Sequence, residues 1–271
     1  WNMRHLKESE LGGLPPNIVI PKYDRRELSA GIAHFGVGGF HRSHEALVID
    51  KLLHTPEHQD WGIVGIGVKS ADRQMMEALE PQNYLYSLTE KDMSGTSTRV
   101  IGSIVDYLYA PDSPSKVLEL LASPQIRIVS LTITEGGYNF NQVTGEFDWS
   151  NSEFLEDLKH PENPKTVFGF ITQALSERRA RGIPPFTVMS CDNIQANGKL
   201  AKKMIVSFAR ELDQGLSTWI SENVYFPNSM VDRITPATSE KDREYALNVL
   251  GVVDYWPVAA EPFFQWVLED S

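Results

Sequence analysis

The stretch from 31 to 68 constrains the fold more than any other part of the chain. It sets an apolar run, "GIAHFG", against a cluster of glycines, an amphipathic stretch and a second apolar run, "GIVGIGV". Each run is bounded by glycine and has the length of a buried strand. From His41 onward, Ala46, Leu47, Val48, Ile49, Leu52 and Leu53 give a helix a wide apolar face. Strand, glycine turn, helix and strand make a β-α-β unit.

The alternation continues along the chain. Residues 71–79 read as a helix, 83–89 and 98–108 as strands, and 113–122 as a helix opened by serine and proline. "IRIVSLTIT" (126–134) is the plainest strand. Residues 163–182 read as a helix with proline near its first turn, arginines in its last and glycine after it, which suits the helix dipole. A strand at 186–191 and an amphipathic helix at 197–213 follow. Such alternation predicts an α/β fold, a doubly wound, mostly parallel Rossmann-like sheet with helices on both faces. The expected division is a polar, extended lead-in over 1–30 and one domain over 31–271, from which 139–162 makes a polar excursion. Ligands in such sheets sit at the carboxyl ends of the strands.

Composition narrows the partners. A net charge of −11 argues against an electrostatic grip on nucleic acid or an anionic membrane and leaves small molecules as the expected ligands. The single cysteine, Cys191, rules out a disulfide framework and the usual structural zinc site, so a reducing compartment is the expectation. The first residues lack the apolar core of a secretory signal, and no run nears the roughly 18 apolar residues of a membrane span, which makes a cytoplasmic location the expectation. Because the chain starts at Trp1, it also reads as a trimmed or partial product.

Gly36-Val37-Gly38-Gly39-Phe40-His41 carries the first two glycines of G-x-G-x-x-G, with histidine in place of the third. The first allows a tight turn, and the second lets backbone amides approach a pyrophosphate at a helix start. A plain structural turn is the other reading. Asp72 stands where an acid would meet an adenosine ribose, although later than the usual spacing of about 20 residues. His41 and His44 make at most half a metal site, no H-E-x-x-H supports one, and no metal is expected. Solvated or phosphate-facing roles are the alternatives for both.

Three polar stretches fall after strands. In "TITEGGYNF" (132–140), Glu135 marks either a site or a surface turn; in "MSCDNIQANG" (189–198), Asp192 and Asn193 are helix caps, or Asn193 donates to a substrate oxygen. "FPNSMVDRITP" (226–236) sets Asp232 and Arg233 in a loop with charges. No tyrosine is followed four residues later by lysine, and no convincing general base emerges.

Together "HFGVGGFHRSH", "IRIVSLTITEGGY", "TVMSCDNIQANG", "FPNSMVDRITP" and "EPFFQWVLED" resemble the polyol-specific long-chain dehydrogenases, from about residue 17 to the last. The resemblance implies an NAD-dependent, metal-independent interconversion of D-mannitol and D-fructose. Fructuronate and tagaturonate reductases and arabinitol dehydrogenases share the outline, and a catalytically silent nucleotide-binding module is the alternative from another class. By position, Gly36, Val37, Gly38, Gly39 and Phe40 match the loop under the pyrophosphate, and Asp72 matches the ribose-binding acid. Glu135, Asn193 and Asp232 match active-site residues near the nicotinamide and the reacting oxygen. Ala71 stands where relatives carry a further acid, which leaves NADP open beside NAD. Family members continue into a helical domain whose K-x-x-x-x-N-x-x-H pattern supplies the catalytic lysine. That pattern does not occur in these 271 residues, so they are expected to bind cofactor and to turn over poorly or not at all. Apolar surface from Tyr255 to Val267, with Trp256, Phe263, Phe264 and Trp266, is expected to drive self-association.

Overall fold

The computed structural model describes residues 3–271. In chain order the elements are β1 (Ala30–Phe35), α1 (Gly39–Ser43), α2 (Glu45–Leu52), β2 (Gly62–Gly67), α3 (Asp72–Leu79), β3 (Tyr86–Asp92), β4 (Gly95–Ile101), β5 (Ile104–Tyr109), α4 (Pro114–Ala122) and β6 (Ile128–Leu131). After them come α5 (Thr134–Gly137), α6 (Ser152–Lys159), α7 (Val167–Arg181), β7 (Thr187–Ser190), α8 (Asn197–Leu212), α9 (Gln214–Asn223), β8 (Ser229–Asp232), α10 (Glu240–Leu250), β9 (Val258–Ala260) and β10 (Gln265–Leu268). A five-stranded, mostly parallel sheet in the order β5-β2-β1-β6-β7 gives the Rossmann-like core that the alternation predicts. Among the described residues no helix is long and apolar enough to cross a membrane.

The chain forms two compact units. Unit 1 takes Trp1–Gly31, Val37–Tyr107 and Asp232–Gln265; unit 2 takes Ile32–Gly36, Leu108–Val231 and Trp266–Ser271. In unit 1, β3 pairs antiparallel with β4 and parallel with β9. The lead-in is less polar in its packing than in its composition: Leu6 and Ile18 join Leu85, Val100 and Leu250 in one buried cluster. β2 is buried throughout, and its Gly65 leaves room for Val37, whose Cγ2 would lie 2.6 Å from an added Cβ.

Several elements differ from expectation for local reasons. The strand expected over 98–108 is two, because Gly102 N–H donates to Asp50 Oδ1 (2.9 Å) and the Ser103 hydroxyl to Ala46 O (2.6 Å), pinning the chain between β4 and β5. β3 begins after Asn83 and Tyr84, which have φ of 52° and 64° and cannot extend a strand. The single helix expected from His41 divides at His44 into α1 and α2.

In unit 2, α7 starts at Val167 rather than at Pro164. The Thr166 hydroxyl caps it by accepting from Gly169 N–H (3.0 Å), and Gly182 closes it at φ 69°. Arg178, expected to face the helix dipole, turns inward instead. Its guanidinium donates to Leu121 O, Ser123 O, Ile126 O and Pro184 O at 2.6–2.8 Å and lies over the Phe186 ring. The excursion at 139–162 contains α6 and is anchored by Phe147 and Phe154, which pack against Phe208.

Candidate active site

Within unit 2, β1, β6 and β7 run parallel, with Phe35 opposite Leu131 and Leu131 opposite Ser190. Their carboxyl ends therefore release three turns at one edge, where ligands of α/β sheets gather. Gly36 makes the first turn at φ 95°, a backbone conformation that side chains rarely adopt. A Cβ there would also lie 2.1 Å from Thr132 O, because the turns after β1 and β6 touch. Thr132 fastens that contact, donating its N–H to Phe35 O (3.0 Å) and its hydroxyl to Gly36 O (2.7 Å). His34, buried in β1, reaches the same hydroxyl at 2.8 Å and Ser130 Oγ at 2.7 Å. Burial pulls the His34 pKa down to about 3, so the ring is neutral at physiological pH.

Asp192 joins the second turn to the third. Its carboxylate accepts from Ile133 N–H (3.1 Å), Thr134 N–H (2.9 Å) and the Tyr138 hydroxyl (2.6 Å). The expectation that Asp192 caps the following helix is thus corrected: α8 has Ala196 at its N-cap, and Asp192 serves the turn after β6. Those bonds also end β6 at Leu131, where the sequence suggested a strand to residue 134. Asn197 holds the third turn from its other side, its amide donating to Ser190 O (3.1 Å) and Asp192 O (3.0 Å). Thr134 (φ 63°) and Ala196 (φ 54°) both sit in the left-handed region, strain of the kind that collects at functional turns.

Glu135 and Asn193 ride on this framework with exposed side chains. Asn193 borders a cavity of about 580 Å³ that Gln195, Asn228, Met230, Leu268 and Glu269 also line. Gly36, Glu135 and Asn193 are therefore brought together in unit 2. Its bonding network was not legible in the sequence, since "IRIVSLTITEGGY" does not say that Thr132 and Tyr138 reach other strands.

Unit 1 carries the remaining candidates. Gly38 is the N-cap of α1, and Gly39 follows with nothing but Thr235 Cγ2, at 3.5 Å, near the place of an added Cβ. Phe40 stacks on His44, which stacks in turn on Phe264 and bonds Gln265 O at 2.8 Å. Neither His41 nor His44 is solvated; both are buried, and burial lowers the His44 pKa. Asp72 opens α3 with Oδ2 accepting from Val68 N–H and Lys69 N–H, each 2.9 Å, while no hydrogen bond to Oδ1 forms among the described residues. Asp232 is exposed at the end of β8, whereas its neighbour Arg233 turns inward to Ser43 O (2.6 Å) and pairs with Glu90 (3.1 Å). Arg42, buried beside the glycine loop, was missed because a basic residue in a helix reads as surface.

A family model described as the mannitol dehydrogenase Rossmann domain matches residues 30–271. The chain belongs to the mannitol dehydrogenase family. Its domain is 47% identical to a mannitol 2-dehydrogenase of Phaeosphaeria nodorum over 255 residues, 94% of this chain and 45% of that protein. It is 50% identical to a polyol:NADP oxidoreductase of Gluconobacter oxydans, covering 96% of this chain and 54% of the relative. A solved structure, the Pseudomonas fluorescens mannitol 2-dehydrogenase ternary complex with NAD and D-mannitol, superposes with a TM-score of 0.96 at 50% identity. That match covers 98% of this chain and 55% of the other. The chain spans about half the length of the curated relatives it matches.

Proposed function

We propose that this chain is the cofactor-binding half of an NAD-dependent, metal-independent dehydrogenase that interconverts D-mannitol and D-fructose. The observation that carries the reading is the convergence of Gly36, Glu135 and Asn193 on three bonded turns at the carboxyl ends of β1, β6 and β7. The names borne by proteins 47–50% identical to it support the substrate class. The cytoplasm suits a chain whose single cysteine, Cys191, is buried and in no disulfide.

The glycine loop fits a dinucleotide. Packing does not demand glycine at Gly39, where an added Cβ would make ordinary contact, so the missing side chain leaves space for a phosphate beside Gly38 and Phe40. Gly36 and Val37 carry the backbone into that loop. Asp72 keeps Oδ1 for a ribose hydroxyl while Oδ2 holds the turn after β2. When bound, NAD supplies the acceptor for the hydride. Asn193 donates its amide to the substrate oxygen as negative charge gathers there. Glu135 supplies the substrate end of unit 2 with a carboxylate, and Asp232 is an exposed carboxylate of unit 1.

Titration of this chain with NADH and NADPH, followed by a fructose-reduction assay, tests the reading. The expected result is saturable NADH binding without turnover. Failure to bind either dinucleotide overturns it; turnover would place a base within these residues. Asp72→Asn keeps an acceptor for the turn and removes the charge, so it is expected to weaken NADH about tenfold while leaving NADPH no weaker. A larger loss for NADPH would contradict the ribose role.

Of the stretch expected to lie exposed, Tyr255, Phe263 and Val267 are 43–55% exposed, whereas Trp256, Phe264 and Trp266 are half-buried, so the expected apolar surface is smaller than the sequence implies. Self-association through such surface is the expected behaviour. Sedimentation velocity showing one monomeric species across the accessible concentrations would refute it.

A further inference from the structure

Arg42 is among the largest fully buried side chains of the protein. Its Nε donates to Gly38 O (3.3 Å), its backbone N–H donates to the same carbonyl (3.2 Å), and Nη1 donates to Trp256 O (2.5 Å). The guanidinium carbon lies 5.1 Å from the Tyr86 ring centroid. Nη2 is buried without a hydrogen-bond partner, and Arg42 forms no ion pair among the described residues. Arg233, equally buried in the same unit, has Glu90 as its counter-ion. Burial lowers the Arg42 pKa only to about 10, so the group stays cationic at neutral pH.

A buried charge without a direct ion pair is costly, and natural folds usually pair it. Here the charge sits four residues past Gly38 and is bonded to that residue's carbonyl. Asp254, buried in the same unit, favours the cationic form of Arg42 through space, but it makes no ion pair with it, and the hydrogen bonds to Gly38 and Trp256 still leave Nη2 without a partner. We propose that Arg42 is a positioning and electrostatic residue for the cofactor: it holds the glycine loop and supplies the positive charge that a pyrophosphate balances, without touching the ligand. This rests on the dinucleotide reading above. It assigns to one residue the loop's preference for a doubly negative group over a neutral nucleoside.

The test compares NADH with adenosine, which lacks phosphate, on the whole chain and on Arg42→Lys and Arg42→Gln. If charge is what matters, Arg42→Lys keeps NADH affinity within about threefold, Arg42→Gln loses about tenfold, and adenosine binding is the same in all three. The salt dependence of NADH binding also becomes shallower in Arg42→Gln. Equal losses in both variants would assign Arg42 to shaping the loop alone, since lysine cannot copy the fork. Parallel loss of adenosine binding would mean general damage, and either result overturns the proposal. Should Arg42→Gln fail to fold, Arg42→Met, which leaves no buried donor unpaired, takes its place. A wild-type chain that binds adenosine and NADH equally well overturns the role of charge while leaving the nucleotide site standing. One that binds neither overturns the dinucleotide reading itself, and this proposal with it.

Discussion

Gly36→Ala is expected to destabilise the protein by about 3 kcal/mol or more and to weaken NADH binding about a hundredfold. Two effects add. At φ 95° an alanine is strained whatever its surroundings, and its Cβ would lie 2.1 Å from Thr132 O, a backbone atom held by the β1–β6 pairing. Relief requires the turn after β1 to move away from the turn after β6, which breaks the Thr132 hydroxyl bond to Gly36 O. Two further glycines separate the causes. Gly182→Ala shares the positive φ, 69°, but meets nothing within 4 Å, so it should cost about 1 kcal/mol and leave NADH binding unchanged. Gly39→Ala meets only Thr235 Cγ2 at 3.5 Å and has an ordinary φ, so it should fold normally and still lose NADH. Urea denaturation and fluorescence titration of the three variants give the comparison. Wild-type behaviour of Gly36→Ala would remove the turn from the account of the site.

The contrast among these glycines also shows what the sequence could reveal. The run from Gly31 to Val68 is local: its strand, turn and helix signals lie within one β-α-β unit, and the fold class follows from repeating that unit. Even there the pattern marked Gly36, Gly38 and Gly39 alike, although Gly36 is forced by conformation and contact and Gly39 by neither. Glu135 and Asn193 could be singled out because polar residues follow apolar runs, yet their proximity depends on β1, β6 and β7 being neighbours, which no short stretch encodes. Buried polar residues were the least legible. His34 lies inside a run that reads as apolar, Arg42 inside an amphipathic helix, and Arg178 at a helix end where solvent and dipole explain an arginine equally well. Each is inside because of partners far away in the chain: Thr132 and Ser130 for His34, Trp256 for Arg42, and Leu121 and Ile126 for Arg178. Asp192 is the extreme case, a residue read as a local cap that instead serves a turn nearly sixty positions earlier.

Asp192 also carries the other large expected effect. Asp192→Ala leaves the Ile133 N–H, the Thr134 N–H and the buried Tyr138 hydroxyl without their shared acceptor, and a loss of about 3–5 kcal/mol is expected. Asp192→Asn keeps an acceptor of nearly the same shape but cannot ionise, and the comparison with wild type then isolates the charge. Burial raises the Asp192 pKa, with the Tyr138 hydroxyl and the two backbone N–H groups opposing it. The native state therefore holds this proton to a higher pH than the unfolded chain does. Between the ordinary carboxylate pKa and the raised one, the native state binds more protons, so the wild-type contribution to stability falls as pH rises. The stability of Asp192→Asn minus that of wild type should accordingly increase with pH through that window and level off above it. Denaturation midpoints for the two proteins from about pH 3.5 to pH 8 measure this difference directly. A difference that is flat, or that shrinks as pH rises, would mean that the hydrogen bonds outweigh desolvation and that the carboxylate is held ionised. The clamp joining the turns of Glu135 and Asn193 would then be a fixed negative charge at the substrate end, and the anionic character of the site would have to include it.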